Sequence, residues 1–169
     1  MKWFAIGLII VLAAGCSPVR ILTTDKFPEN FTRYETFNFY RVNVPGESPY
    51  LEDLKNAIIS RFQSRGYRLD DNADILINIG TNVEEKIQTR ETDYRDIRYM
   101  GQRNYSWESE EVIVNQYREG TAVIDIVDSR TDQLIWQGVA AGTVVGNEQK
   151  MQKRIEKGID LLFKDLPQR

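Results

Sequence analysis

Two stretches of this chain are apolar on one side only, at helical spacing, and these two stripes constrain its fold more than any other feature. The first runs Leu51, Leu54, Ile58, Phe62, and the second Met151, Ile155, Ile159, Leu162, Phe163, Leu166. A helix with one such stripe must bury it against another element, so both need a common partner surface. The stretches carry their own punctuation. Ser48-Pro49 offers a cap and a first helical residue, with Glu52 and Asp53 in the first turn, and Gly66 suits a left-handed stop after Arg65. Asn147 can cap the second helix, and Pro167 ends it.

The partner surface is legible as strands. Residues 36–42 are aromatic and β-branched, with Phe37 and Phe39 on one face, and residues 73–83 place Ile75, Ile77 and Ile79 together. A further β region starts near Val112, and residues 121–127 send Ala122, Ile124 and Ile126 to one side. Asp128-Ser129-Arg130-Thr131-Asp132 then turns into Leu134-Ile135-Trp136, forming a hairpin. Residues 19–23 alternate weakly and suit a short edge strand. The expected fold is a single α+β domain over 19–167, a two-layer sandwich with a mostly antiparallel sheet of about four to five strands and two helices on one face.

Residues 1–15 have the layout of a secretory signal: Lys2 at a positive start, an unbroken apolar run from Phe4 to Leu12, and Ala13-Ala14-Gly15 as a small-residue exit. The run falls short of the roughly 20 apolar residues that a membrane span requires. Leu12-Ala13-Ala14-Gly15-Cys16 resembles a bacterial lipobox, although Ala13 stands where Leu is commonest. That resemblance implies cleavage between Gly15 and Cys16 and lipidation of Cys16, with residues 16–18 as a short tether. Cys16 is the single cysteine, so no internal disulfide is open to it, and two or three acyl chains would anchor it stably.

Removing residues 1–15 takes away one cation, Lys2, and moves the net charge from −3 to −4. A mildly acidic chain is a poor partner for nucleic acid, which calls for a concentrated excess of Lys and Arg. The complete lack of histidine removes the commonest general base and metal ligand, and the lone thiol excludes thiolate zinc sites and redox dithiols. No motif calls for a metal or a cofactor. Asp70-Asp71-Asn72-Ala73-Asp74 lacks calcium-loop spacing and reads as a helix-to-strand turn, and Asp125, Asp128 and Asp132 flank the hairpin turn in the same way. Gly138, Gly142 and Gly146 mark bulges or close backbone approach, and Trp136 reads as core.

The stretch 84–111 is different in kind. It is dense in charge yet interleaves aromatics with arginines, namely Tyr94, Arg95, Arg98, Tyr99, Arg103, Tyr105 and Trp107, a combination suited to binding a sugar, peptide or protein surface. Its ends can also extend the flanking strands into a long hairpin whose aromatics pack across strands.

With these landmarks in place, the chain resembles the bacterial lipoprotein family catalogued as domain of unknown function 4136. The resemblance rests on 31–37, Gly66-Tyr67, Ala73-Asp74-Ile75, Gly120-Thr121 leading to Asp125-Ile126-Val127-Asp128, and Leu134-Ile135-Trp136-Gln137-Gly138. Asn30 stands where an acidic residue is usual. The resemblance implies an envelope lipoprotein without assigned catalytic residues. Ser17 after the lipidated cysteine, in place of Asp, implies an outer-membrane anchor facing the periplasm if the host has that membrane.

The functional expectation is a non-catalytic, membrane-anchored module that binds an envelope protein or glycan through 84–111. Two alternatives belong to other classes: a structural envelope-integrity lipoprotein without a dedicated ligand, and a carboxylate-dependent glycan hydrolase using Asp74, Asp125 and Asp128. The last requires two carboxylates converging on a cleft.

Overall fold

The computed structural model describes residues 19–40, 49–91 and 111–169, less the side chains of Thr23 and Glu91. The signal segment, Cys16 and its tether lie outside the described residues.

In chain order the elements are β1 (Val19–Thr24), a 3-10 turn (Phe31–Arg33), β2 (Thr36–Phe39), α1 (Leu51–Ser64), β3 (Arg68–Leu69), β4 (Ile75–Glu91), β5 (Glu111–Asp128), β6 (Leu134–Thr143) and α2 (Glu148–Leu162). The strands form one sheet in the order β1-β6-β5-β4-β2-β3. β1, β6, β5 and β4 are joined antiparallel, whereas β2 runs parallel to both β4 and β3. The α+β sandwich holds, but the sheet has six strands among the described residues where four to five were expected. β3 escaped the sequence because it has two residues, both exposed, and two residues carry no period.

Both helices bury their stripes on the same core. Leu54, Ala57, Ile58 and Phe62 from α1 meet Ile155, Ile159 and Leu162 from α2 over Ile75, Ile77, Ile124, Ile126 and Trp136 of the sheet. The Phe62 and Phe163 rings sit 5.3 Å apart, and Trp136 stacks on Phe27 at 4.9 Å and on Phe163 at 4.8 Å. Each buried aliphatic or aromatic side chain here contributes about 1.5–3 kcal/mol, so the helix-covered face holds the fold. The indole N–H of Trp136 donates to the Asp25 carbonyl at 2.8 Å, which removes the cost of burying it.

Gly138 explains why so large a ring fits. A Cβ there would lie 2.4 Å from Trp136 Cη2 and 2.9 Å from Leu162 Cδ1, so the indole occupies the space that a side chain would need. Gly66 ends the first helix with φ of 93°, the left-handed stop its sequence position called for. Asn147 accepts from the Lys150 N–H at 2.9 Å and caps α2 as expected. The start of α1 differs. Its N-cap is Tyr50 with no side-chain cap bond, Pro49 lies in the preceding turn, and Ser48 falls outside the described residues.

Candidate functional site

The carboxylates that sequence reasoning weighed as a catalytic set are held within turns and between elements. Asp74 Oδ2 accepts from the backbone N–H groups of Glu35 at 2.9 Å and Thr36 at 3.2 Å, while Oδ1 faces Arg130 at 3.2 Å. The Glu35 N–H above all holds this carboxyl below its ordinary range, against a smaller opposing effect of burial. Asp128 Oδ1 accepts from Arg130 N–H at 2.9 Å and Thr131 N–H at 3.1 Å, and Oδ2 from the Tyr34 hydroxyl at 2.9 Å. Its carboxyl is likewise lowered, first by the Arg130 N–H. Asp70 closes its own turn onto the Asn72 N–H at 2.9 Å, and Asp125 accepts from Gln137 at 2.8 Å. These bonds tie β2, β4 and the β5–β6 turn together. Among the described residues no group of three His, Cys, Asp or Glu side chains is placed to hold a metal ion.

The feature the fold places outside its core is the far half of the β4–β5 hairpin. β2 flanks β4 only from Ile75 to Ile77, and β6 accompanies β5 only as far as Glu119 opposite Thr143. Beyond those limits, among the described residues, 84–91 take their strand pairing from β5 alone and 111–117 from β4 alone, while Arg118 still accepts from the Val144 N–H. At about 3.4 Å per residue this ribbon reaches out roughly 27 Å. A bulge between Gln88 and Thr89 adds twist within it.

The arm keeps the phase of the core strand. Val83, Glu85 and Ile87 continue the alternation of Ile75, Ile77 and Ile79, but with no helix of the described residues above them Ile87 is 56% exposed. Across the ribbon Ile113 is 63% exposed, and Val112 and Val114 are exposed as well. On the other face Lys86 bonds Glu84 at 2.7 Å, which lowers the Glu84 carboxyl and raises the Lys86 ammonium, each because of the other. At the root of the arm, Val83, Gly120, Ala122 and Val144 join Met151 and Ile155 around an apolar cavity of about 90 Å³. Arg154 also lines it and donates to the Thr143 carbonyl at 2.7 Å.

Of the residues singled out for binding, Tyr94, Arg95, Arg98, Tyr99, Arg103, Tyr105 and Trp107 all lie outside the described residues, as do Gly15 and Cys16. The described parts of 84–111 are the two strands of the arm, so the longer-hairpin reading of that stretch applies to its ends. The exposed aliphatics Val83, Ile87, Val112, Ile113 and Val114 were not singled out from sequence. The signal for the first two was the odd-numbered alternation from Ile75, which returns at Val83 and Ile87 although Thr81 and Glu85 interrupt it.

The family model described as Domain of unknown function (DUF4136) matches residues 23–168. No curated protein matches the chain. Among solved structures, a PDZ domain protein from Parabacteroides distasonis is similar at a TM-score of 0.50 and 13% identity, over 90% of this chain and 36% of that one. This chain thus spans about a third of that relative's length. The PelC dodecamer from Paraburkholderia phytofirmans is similar at 0.52 and 11% identity, over 89% of this chain and 99% of that one.

Proposed function

The chain belongs to the DUF4136 family of domains of unknown function, and from that premise we propose a non-catalytic, lipid-anchored envelope module that binds a protein or glycan partner through its β4–β5 arm. The observation that carries the reading is the arm itself. A two-stranded ribbon is marginally stable in water on its own, and this one extends past the sheet with aliphatic side chains in the open. Such a projection on a rigid scaffold suits contact more than fold stability. Of the carboxylates weighed for hydrolysis, Asp74 and Asp128 hold turns and Asp125 accepts from Gln137 across strands, which supports a structural use of all three. The PelC protein of similar fold is a dodecamer, and an assembly built on this fold agrees with a role carried by contacts.

The anchor part of the proposal rests on the lipobox resemblance of Leu12-Ala13-Ala14-Gly15-Cys16 and on Ser17 for an outer-membrane address. Cys16→Ser should abolish incorporation of labelled fatty acid and release the chain from the membrane fraction. Unchanged labelling would contradict the anchor.

For the binding role, the test is crosslinking capture from intact envelopes with the full-length protein and with a deletion of 88–108. The proposal expects a partner that disappears with the deletion while the unfolding midpoint barely moves. Identical captured sets would favour a general structural role.

A further inference from the structure

The flank of β4 past Ile77, which no strand among the described residues covers, carries a pattern complementary to itself, and we propose that the arm's partner includes a second copy of this chain, joined by antiparallel pairing of β4 with β4 about a two-fold axis at Glu85. The inference rests on the reading of the arm as a contact surface and names one partner for it.

The backbone phase comes first. The Ile77 carbonyl accepts from the Tyr40 N–H at 2.9 Å, so its polar groups face away from β5. On the other strand the Arg118 carbonyl, opposite Glu85, accepts from the Val144 N–H at 2.8 Å and so faces away from β4. Opposite residues of an antiparallel ladder share this phase, so Thr81, Val83, Glu85 and Ile87 turn their N–H and C=O groups outward along β4. Past Ile77 no strand among the described residues takes them up. A long open edge of this kind is a template for another strand.

Charge then selects the strand. Glu84 stands directly opposite Glu119, a like-charge pair on neighbouring strands, and Arg20 reaches Glu119 from β1. The row therefore holds two anions with a cation at its β1 end; Glu84 bonds its own Lys86 along the strand at 2.7 Å, and the place beyond Glu84 on the far side from Glu119 can take a second cation. Pairing β4 with a copy of itself about Glu85 puts the other chain's Lys86 in that place, and reciprocally Glu84 of the copy beside Lys86. The same register sets Val83 against Ile87, Asn82 against Gln88 and Thr81 against Thr89, each twice. Only the central Glu85 meets its own kind, and each Glu85 has Arg118 opposite it on β5. The exposed Val83 and Ile87 would be covered on the side where the helices end.

The test is light scattering of the full chain in detergent, comparing wild type with Glu84→Lys and Lys86→Glu. Wild type should be dimeric, and each single reversal should weaken the dimer about tenfold, because it creates two like-charge contacts. A one-to-one mixture of the two variants should restore dimers, since each supplies what the other lacks, and the double variant should self-associate as wild type does. Glu85→Cys should form an intermolecular disulfide, the opposed Cα atoms of a hydrogen-bonded pair being about 5.5 Å apart, whereas Thr81→Cys and wild type with Cys16 alone should not. A monomeric wild type that still captures an envelope component through the arm would overturn self-pairing and leave the contact-surface reading standing. Single reversals that dimerise as wild type does, or a Glu85→Cys chain that fails to crosslink, would overturn it as well.

Discussion

Ile75 and Ile77 are fully buried, while Ile87, on the same strand and on the same face, is more than half exposed. On β5, Ile126 opposite Ile77 and Ile124 opposite Ile79 are buried, while Ile113, opposite Thr89 near the far end, is open. Residue type, strand and alternation are alike at both ends of the hairpin, and what differs is the presence of α1 and α2 above it. The comparison teaches that strand periodicity specifies which way a side chain points, whereas burial is decided by what the rest of the chain lays over it. The covered half is a scaffold, and the uncovered half offers apolar surface that the fold does not use.

The comparison breaks most visibly in the core. Trp136→Ala removes the ring that stacks on both Phe27 and Phe163 and should cost about 3–5 kcal/mol, read as a large fall in the denaturant midpoint. Gly138→Ala should cost about 1–3 kcal/mol by overpacking the same indole, a loss that a simultaneous Trp136→Phe should partly relieve.

Tyr67 sharpens the contrast with a pH signature. Its hydroxyl is buried without a hydrogen-bond partner among the described residues, and burial pushes its pKa up to about 12 from an ordinary 10.0. Because the folded value is raised, its contribution to stability is fully present below pH 10 and is lost as pH rises towards about 12. Thermal scans should therefore show wild type losing stability across that window, and Tyr67→Phe, which keeps the packing on Phe31 and Phe62, should lose less. The smallest effect is expected on the arm. Ile113→Ser should stay within about 0.5 kcal/mol of wild type, as surface changes usually do.

Much of the scaffold was legible before the structure. The two helices, the turn at 128–132, the stop at Gly66 and the cap at Asn147 follow from local period and local backbone demands, which a sequence carries in full. What was illegible depends on distant parts of the chain. Parallel pairing of β2 with β4, the two-residue β3, and the Tyr34 hydroxyl on Asp128 across 94 residues have no local pattern. The arm was half legible: Glu84, Glu85 and Lys86 interrupt its hydrophobic alternation, so charge masked a strand that continues in phase to Ile87.

A photoreactive side chain placed at Ile113 on the arm, and separately at Leu161 on the exposed side of α2, tests the central claim most directly when activated in intact envelopes. The arm position should yield a discrete crosslinked species and the helix position none, since contact is assigned to the uncovered half of the hairpin. Adducts of equal yield from both positions, or from α2 alone, would contradict that division of the molecule.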